Sequence, residues 1–286
     1  MGNGSGGRGA DAARATAVAA ADRAGVRIVE VLDGPRMRDA AHVVAVLGER
    51  GTGSPPLVDP EALLDVSPAG GLVFVAFRDD EPVGVTVASL EPGSDGEPSL
   101  RSHVSGAIDD PAGAVATALR WHQRAWCLEQ GIVRVRWTFD PLVRSDAVAS
   151  LVELGARAVG YLDNADLLAV DWELTAPRVE AAAAGRAAAP DVAALRRAGA
   201  QPAVTADPSG APVVTPTAVE RRLVQIPDDI GAIRATDPEL ARSWTMAIRT
   251  ALSEPLQTGF RVSGMTRDGW YVLAADRQVA ELADRR

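Results

Sequence analysis

The stretch that most restricts the fold is GLVFVAFRDDEPVGVTVASL, residues 71–90. Two runs rich in β-forming residues flank the acidic turn RDDEP, which is typical of an antiparallel β-hairpin. A strand and a helix pattern precede this hairpin, and strand, helix, strand, helix and further strands follow it. A hairpin inside such a chain favours a mixed sheet over a doubly wound parallel sheet. We therefore expect an α/β (α+β) fold with a mixed, mostly antiparallel central sheet flanked by helices.

Composition divides the chain into four segments. Residues 1–25 are expected to form a disordered tail, and residues 26–175 carry the patterns of an ordered core. Residues 176–220 are rich in Ala, Pro and Gly, which predicts a linker with one or two short helices. Residues 221–286 regain a strand, a helix and two short strands. We expect them to form a strand-helix-hairpin extension that packs on the core.

The charged residues exclude several classes of protein. All 29 basic residues are arginine, so Schiff-base enzymes and Walker A phosphate loops, which need lysine, are excluded. The net charge of -9 argues against a nucleic-acid-binding surface. The apolar runs are too short to span a bilayer, and the first residues lack the apolar region of a secretion signal. We expect a cytoplasmic protein without membrane contacts.

One cysteine and three histidines limit the chemistry further. Cys127 has no partner for an internal disulfide, and its place beside Trp126 in a predicted helix favours a core residue over a nucleophile. His42, His103 and His122 lack the spacing of metal ligands. No metal site is expected.

The segment IDDPAGAVATALRWHQ, residues 108–123, has the pattern of a strand end, a tight turn and a helix start. A helix N terminus offers unpaired backbone N–H groups and a partial positive charge to an anion. We expect this helix to begin just past Pro111, with its amides facing an open cleft where a diphosphate can bind, and to end at Gly131. Asp109 and Asp110 are interpreted as caps of its N terminus in preference to a general base.

Several stretches together resemble the GNAT acetyltransferase superfamily, in particular a bacterial branch of predicted acetyltransferases. They are SHVSGAI, the turn and helix after it, QGIVRVRWTFDPL, a helix ending in LGA, LLAVDWEL and, for the C-terminal extension, RRLVQIPDDIGAIRATDPELARSWTMAIRTAL. The resemblance implies a V-split sheet whose fourth strand and following helix bind acetyl-CoA or another acyl-CoA. It implies acyl transfer to a small amine that enters from the opposite side. Homodimerisation, frequent among such relatives, is left open.

The resemblance also implies the position of the cofactor site. In the superfamily, an R/Q-x-x-G-x-G/A loop surrounds the CoA pyrophosphate with backbone N–H groups. The matching residues here are Pro111, Ala112, Gly113, Ala114, Val115 and Ala116, and the resemblance adds Ala107 and Ile108 from the preceding strand and Asp146 from a later helix. Pro111 replaces the basic residue, Ala114 replaces a glycine and Asp146 replaces an asparagine. These departures predict weakened cofactor binding.

Three residues are candidates for the chemistry of acyl transfer, which needs a base for the ammonium proton. His103 lies on the strand that leads into the turn, with a partly buried strand histidine as the structural alternative. Asp140 lies at the C-terminal end of the neighbouring strand, where open α/β sheets place ligands, with a capping role as its alternative. Tyr161 is the third candidate, because the resemblance implies a tyrosine that protonates the departing thiolate.

Three functions fit these patterns. The first is an acyl-CoA-dependent N-acyltransferase that acts on a small amine. The second is a catalytically degenerate relative that serves as a binding or assembly partner, and the third is a GNAT scaffold repurposed for other chemistry. An inherited fold favours the first, whereas the loss of the basic residue and the glycine favours the other two, because a fold alone does not decide function.

Overall fold

The computed structural model describes residues 4–32, 34–49, 71–93 and 96–275. Contacts within the chain divide it into two compact units. The first comprises the described residues up to Trp137 together with Trp172–Arg186, and the second comprises Thr138–Asp171 and the described residues from Ala187 onward. Within these ranges, no helix combines the length and the apolar character needed to cross a membrane.

Helices and strands alternate along most of the described chain. In order they are α1 (Gly4–Ala24), β1 (Arg27–Glu30), α2 (Gly34–Glu49), β2 (Leu72–Arg78), β3 (Glu81–Pro92), β4 (Pro98–Ala107), α3 (Ala114–Glu129), β5 (Arg134–Phe139), α4 (Arg144–Val148, continued by a π-helical turn at Ala149–Glu153), β6 (Arg157–Leu162), β7 (Leu167–Glu173), α5 (Pro177–Ala183), α6 (Val192–Arg197), β8 (Gln201–Ala206), β9 (Pro212–Val214), β10 (Arg221–Gln225), α7 (Ile230–Thr236), α8 (Pro238–Gln257), β11 (Phe260–Met265) and β12 (Trp270–Ala275).

The first unit is built on a mixed sheet. The predicted hairpin is β2 and β3, which pair antiparallel. Within this unit, strands follow one another in the order β1-β2-β3-β4-β5, and β4 pairs with β5 in parallel whereas the pairs from β1 to β4 are antiparallel. The expected mixed, mostly antiparallel sheet flanked by helices is confirmed.

Both faces of this sheet carry a helix. On one face, α2 packs on β2 and β3 through buried valines that include Val43, Val75 and Val87. On the other face, α3 lies so close to β3 that a Cβ at Gly84 would come within 3.0 Å of side-chain atoms of Leu119 and Val115. This close approach holds α3 directly on the sheet, with its N terminus following the end of β4.

The structure has a helix, α1, where the sequence predicted a disordered tail. One side of α1 is buried and contacts α3; its buried residues are Ala13, Ala17, Ala20 and Ala21. Arg14 of α1 also forms an ion pair with Glu129 of α3, at 2.7 Å. Alanine has the highest helix propensity and, lacking a long side chain, lets two helices approach closely. Packing on α3 therefore orders a segment whose composition is typical of disorder.

The second unit contains the β6–β7 hairpin and a five-stranded sheet in the order β11-β12-β10-β8-β9. The buried side of α8, which includes Trp244, Ile248 and Leu252, covers part of this sheet. The predicted strand-helix-hairpin of the C-terminal segment is present as β10, α7 with α8, and β11 with β12.

The segment predicted as a linker, residues 176–220, contributes two strands as well as the short helices α5 and α6. The strands β8 and β9 each contain a proline and are short, so neither shows the alternation that identifies a strand in a sequence. β8 pairs with β10 and with β9. This pairing orders a segment whose own sequence does not predict strands.

Candidate active site

His103 occupies an irregular position on β4. The register between β3 and β4 shifts after Val87, and His103 is the extra residue of the resulting β-bulge. Its Nε2 atom lies 2.8 Å from Oγ of Ser89 on β3. Because a bulge redirects the side chain of the extra residue, it brings the imidazole and the hydroxyl together across the two strands.

The surroundings of His103 favour its neutral form. Partial burial lowers the pKa of His103, and the nearby Arg101 guanidinium lowers it further, whereas Glu91 acts in the opposite direction. Glu91 forms an ion pair with Arg101, so each of these charges offsets part of the field of the other. A neutral imidazole at pH 7 keeps one unprotonated ring nitrogen, which is what a proton acceptor requires.

The sheet opens beside this pair. Between β4 and β5, pairing joins Leu100 with Val135 and Arg101 with Arg136. The described residues of β4 from Ser102 to Ala107 continue without a further register partner on β5. The two strands thus separate at the position of His103, which agrees with the split sheet that the sequence resemblance implies.

Arg120 of α3 contacts both strands beside this point. Arg120 donates to Ser102 Oγ at 2.8 Å and to Gln123 Oε1 at 3.0 Å, and its guanidinium lies 4.3 Å from the ring centroid of Trp137 on β5. Gln123 is fully buried, and its Nε2 atom has no hydrogen-bond partner. Arg120 therefore links Ser102 on β4 to Trp137 on β5.

The N terminus of α3 is closed by the chain itself. Both carboxylate oxygens of Asp110 accept hydrogen bonds from the backbone, Oδ1 from the N–H of Ala114 and Oδ2 from the N–H groups of Val115 and Ala116, each at 2.9 Å. Gly113 precedes the helix with a φ of 66°, a left-handed conformation that glycine adopts without strain. The capping role predicted for Asp110 is thus realised, and the amides predicted to face an open cleft are already bonded.

This arrangement does not fit the diphosphate of CoA. A diphosphate at this helix terminus needs the N–H groups that Asp110 holds, and it would meet the negative charges of Asp109 and Asp110. Pro111 and Ala112 bring no compensating cation to the loop. The residues that the resemblance assigns to the cofactor loop therefore hold a carboxylate in place of a bound anion.

The other residues assigned to the cofactor site lie in regular backbone. Ala107 pairs with Gly84, and the Ile108 N–H donates to the Val83 carbonyl at 2.7 Å, so the end of β4 stays bonded to β3. Asp146 lies in the first turn of α4, in the second unit, with Ser145 Oγ 3.5 Å from its carboxylate. Among the residues that the structure describes, no cluster of side chains is suited to hold a metal ion.

Asp140 is held in a buried turn of the second unit. Its Oδ1 accepts from the Leu142 N–H at 2.9 Å, and its Oδ2 forms an ion pair with Arg234 of α7 at 2.6 Å. The hydroxyl of the buried Tyr271 donates to the carbonyl of the next residue, Pro141, at 2.8 Å. These contacts fix the strand-to-helix junction, as the structural alternative to a catalytic role predicts.

Tyr161 belongs to a second polar cluster of the same unit. Its hydroxyl donates to Asp166 Oδ1 at 3.0 Å, and Arg249 of α8 binds both oxygens of Asp166, at 2.7 and 2.6 Å. Burial and the hydrogen bond to Asp166 raise the pKa of Tyr161, which makes the phenol a weaker acid than a free one. Burial raises the pKa of Tyr271, and the negative charges of Asp140 and Asp146 raise it further.

The structure thus groups the predicted residues by unit. His103 and the turn before α3 lie in the first unit, whereas Asp140, Asp146 and Tyr161 lie in the second. Ser89 and Arg234 were not anticipated. Each contacts its partner from a strand or helix that is distant in sequence, so no local spacing indicates the pair.

Comparisons with known proteins give structural matches only. No protein-family profile and no curated protein sequence matches the chain. Among solved structures, aminoglycoside 6'-acetyltransferase type Ii is 16% identical with a TM-score of 0.43, and the match covers 52% of this chain and 98% of that chain. An N-acetyltransferase from Staphylococcus aureus Mu50 is 10% identical with a TM-score of 0.42, covering 53% and 99%. FeeM, an N-acyl amino acid synthase from uncultured soil microbes, is 20% identical with a TM-score of 0.40, covering 52% and 91%.

Proposed function

We propose that this protein is an N-acyltransferase that moves an acyl group from a thioester donor to a small amine. The observation that carries the proposal is the pair of His103 and Ser89 at the bulge of β4, beside the point where β4 leaves β5. The pair supplies a proton acceptor, and the separated strands supply a gap next to it.

His103 is the base of the proposed reaction. An amine in neutral water is an ammonium ion and must lose a proton before it can attack a carbonyl carbon. In the tautomer in which Nε2–H donates to Ser89 Oγ, the Nδ1 atom of His103 keeps its lone pair for that proton. The lowered pKa of His103 keeps this nitrogen unprotonated at pH 7.

The donor and acceptor classes follow from the edge of β4 and from the charge of the chain. Beyond Arg101, the backbone of β4 can pair with an extended ligand that carries amides, as the thiol arm of an acyl-CoA does. The net charge of -9 attracts a cationic acceptor and repels an acidic one. Acetyl-CoA or another acyl-CoA is the donor that the sequence resemblance favours, held along β4 and not at the α3 terminus.

Release of free thiol from an acyl thioester, measured with a panel of small amines, tests the proposal. We expect His103→Ala to lower kcat/KM by about 10²-fold or more, as removal of a general base does. Ser89→Ala should lower it by about tenfold, because the ring loses the partner that orients it. Amine-independent thiol release, or full activity of His103→Ala, would contradict the assignment.

His122 provides a matched control. It is also partly buried, and burial lowers its pKa as well, but it lies on α3 with its ring packed edge-on against Phe74. His122→Asn should leave kcat/KM and its pH dependence unchanged once the folded fraction is matched by circular dichroism. An equal loss in both variants would indicate a general effect of removing a histidine.

The closed α3 terminus favours a second candidate, a catalytically degenerate relative that acts as a binding partner. The bonds from Asp110 occupy the amides that a CoA diphosphate would need. The two candidates differ in one result. The degenerate protein releases no thiol from any acyl thioester with any amine of the panel, whatever the residue at position 103.

A further inference from the structure

We infer that Asp110 is a built-in substitute for a bound anion at the N terminus of α3, so that this protein takes its acyl thioester without contacting a diphosphate there. The conclusion about the donor rests on the proposed acyl transfer, whereas the place of the Asp110 carboxylate at the helix terminus is a property of the fold. We therefore expect the protein to recognise the thiol arm of the donor and not its nucleotide.

The geometry is that of an anion site that is already filled. A diphosphate at a helix terminus accepts hydrogen bonds from consecutive backbone N–H groups of the first turn. Asp110 accepts from three consecutive groups, those of Ala114, Val115 and Ala116, all at 2.9 Å. The next amide, that of Thr117, bonds to the carbonyl of Gly113 as the first helical hydrogen bond. The first turn of α3 thus has no amide left for a ligand.

The turn before α3 is shaped to keep the carboxylate in this place. Asp109 has a φ of 51° and Gly113 a φ of 66°, and the Gly113 N–H donates to the Asp110 carbonyl at 3.0 Å. These two left-handed residues enclose a tight turn. The turn directs the Asp110 side chain toward the first amides of the helix. The carboxylate is tethered four residues before the first amide it binds, so it competes with a free anion as an intramolecular ligand.

Charge strengthens this competition. The carboxylate carries the charge that the partial positive end of a helix of 16 residues favours. A diphosphate must displace it and then lie beside Asp109 and the released Asp110, in a loop where Pro111 stands in place of a basic residue. Both effects act against nucleotide binding, whereas the uncharged thiol arm of the donor meets neither.

The amide signals of Ala114, Val115 and Ala116 in nuclear magnetic resonance spectra test the substitution directly, with inorganic pyrophosphate as the probe. In the wild type we expect no shift of these signals up to about 10 mM pyrophosphate. In Asp110→Ala, the same signals should shift with saturation, because three N–H groups and the helix dipole become available. Shifts at these amides in the wild type, or none in the variant, would overturn the inference.

Two further variants distinguish the effect of the cap from that of the charge in the loop. Asp109→Asn removes a neighbouring charge but leaves the cap, so it should behave as the wild type with pyrophosphate. Asp110→Asn keeps an acceptor oxygen and removes the charge, so it should fold even if Asp110→Ala does not, and it should give smaller shifts at the same amides. Pyrophosphate binding by Asp109→Asn equal to that of Asp110→Asn would point to loop charge alone and overturn the role of the cap.

The consequence for the donor is tested by titration calorimetry with S-acetyl-pantetheine and acetyl-CoA. We expect wild-type dissociation constants within about threefold of each other, and a tightening of about tenfold for acetyl-CoA only in Asp110→Ala. Wild-type binding of acetyl-CoA tenfold tighter than that of acetyl-pantetheine overturns the inference and leaves the proposed transfer intact. Absence of binding and of turnover with both donors overturns the proposed function, while the pyrophosphate result still decides the role of Asp110.

Discussion

The pKa of His103 determines the pH dependence that we expect for the proposed reaction. Its pKa is lowered by burial and by Arg101, and raised by Glu91. Because the neutral imidazole is the active form, the rate should fall only below the lowered pKa. The acid limb of the pH profile of kcat/KM therefore has its midpoint below 6.5, the value for a free histidine.

Arg101→Ala tests how the charges near His103 affect its pKa. Removing the guanidinium deletes a cation that opposes protonation and frees the Glu91 carboxylate, which favours it. Both changes raise the pKa of His103, so the acid limb should move to higher pH. Arg78→Ala, at an exposed position of β2, is the control and should leave the profile in place. A profile of Arg101→Ala that overlays the wild type would show that burial alone sets the pKa.

Asp140 and Arg234 make a prediction about stability. Asp140 is 5% exposed, and Arg234 is its cation. Arg234→Ala leaves a buried carboxylate without its partner, so the free energy of unfolding should fall by about 2 kcal/mol, less than for a fully buried pair because Arg234 is partly exposed. Urea denaturation measures this change. Arg242→Ala removes an exposed pair on α8 and should change stability by less than about 0.5 kcal/mol.

At the scale of elements, β3 and α3 approach each other closely at Gly84. A Cβ at Gly84 would lie 3.0 Å from side-chain atoms of both Leu119 and Val115. Gly84→Ala should therefore destabilise the protein by about 1–3 kcal/mol, the range for overpacking a core. Gly160→Ala, on β6, meets nothing within 4 Å and is the matched control. Equal thermal shifts of the two variants would mean that α3 moves away without cost.

The elements that the sequence predicts correctly are those with strong local signals. The hairpin of β2 and β3 shows two β-rich runs around a turn, and α3 shows a helical pattern that ends at Gly131, where φ is 73°. The capping carboxylate of Asp110 is predicted for the same reason, since it lies directly before the helix it caps.

The elements and contacts that the sequence does not predict depend on partners far along the chain. The alanines of α1 become a buried face only against α3. The strands β8 and β9 are ordered by pairing with β10 and with each other. Asp166 and Arg249 are 83 residues apart, and Ser89 reaches His103 only because β4 carries a bulge. None of these contacts leaves a periodic signal in either partner.

At the scale of the whole molecule, the acidic balance makes a prediction about ionic strength. The net charge is -9, and acyl-CoA carries several negative phosphate charges, so protein and nucleotide repel each other at low salt. Raising the salt concentration from about 20 to 200 mM should lower the KM for acetyl-CoA by about two- to threefold, because screening weakens this repulsion. The KM for acetyl-pantetheine should stay constant over the same range. A rise in the KM for acetyl-CoA would instead reveal a cationic nucleotide site.

The two phenols, one buried and one partly buried, and the buried thiol determine the alkaline titration of the protein. Burial raises the pKa of Cys127, Tyr161 and Tyr271, and these are the cysteine and both tyrosines of a chain that has no lysine. Arginine stays charged throughout this range, so the native protein has almost nothing to titrate between about pH 8 and pH 11. Its electrophoretic mobility should therefore be nearly flat across three decades of hydroxide concentration, and a steep drift there would report unfolding.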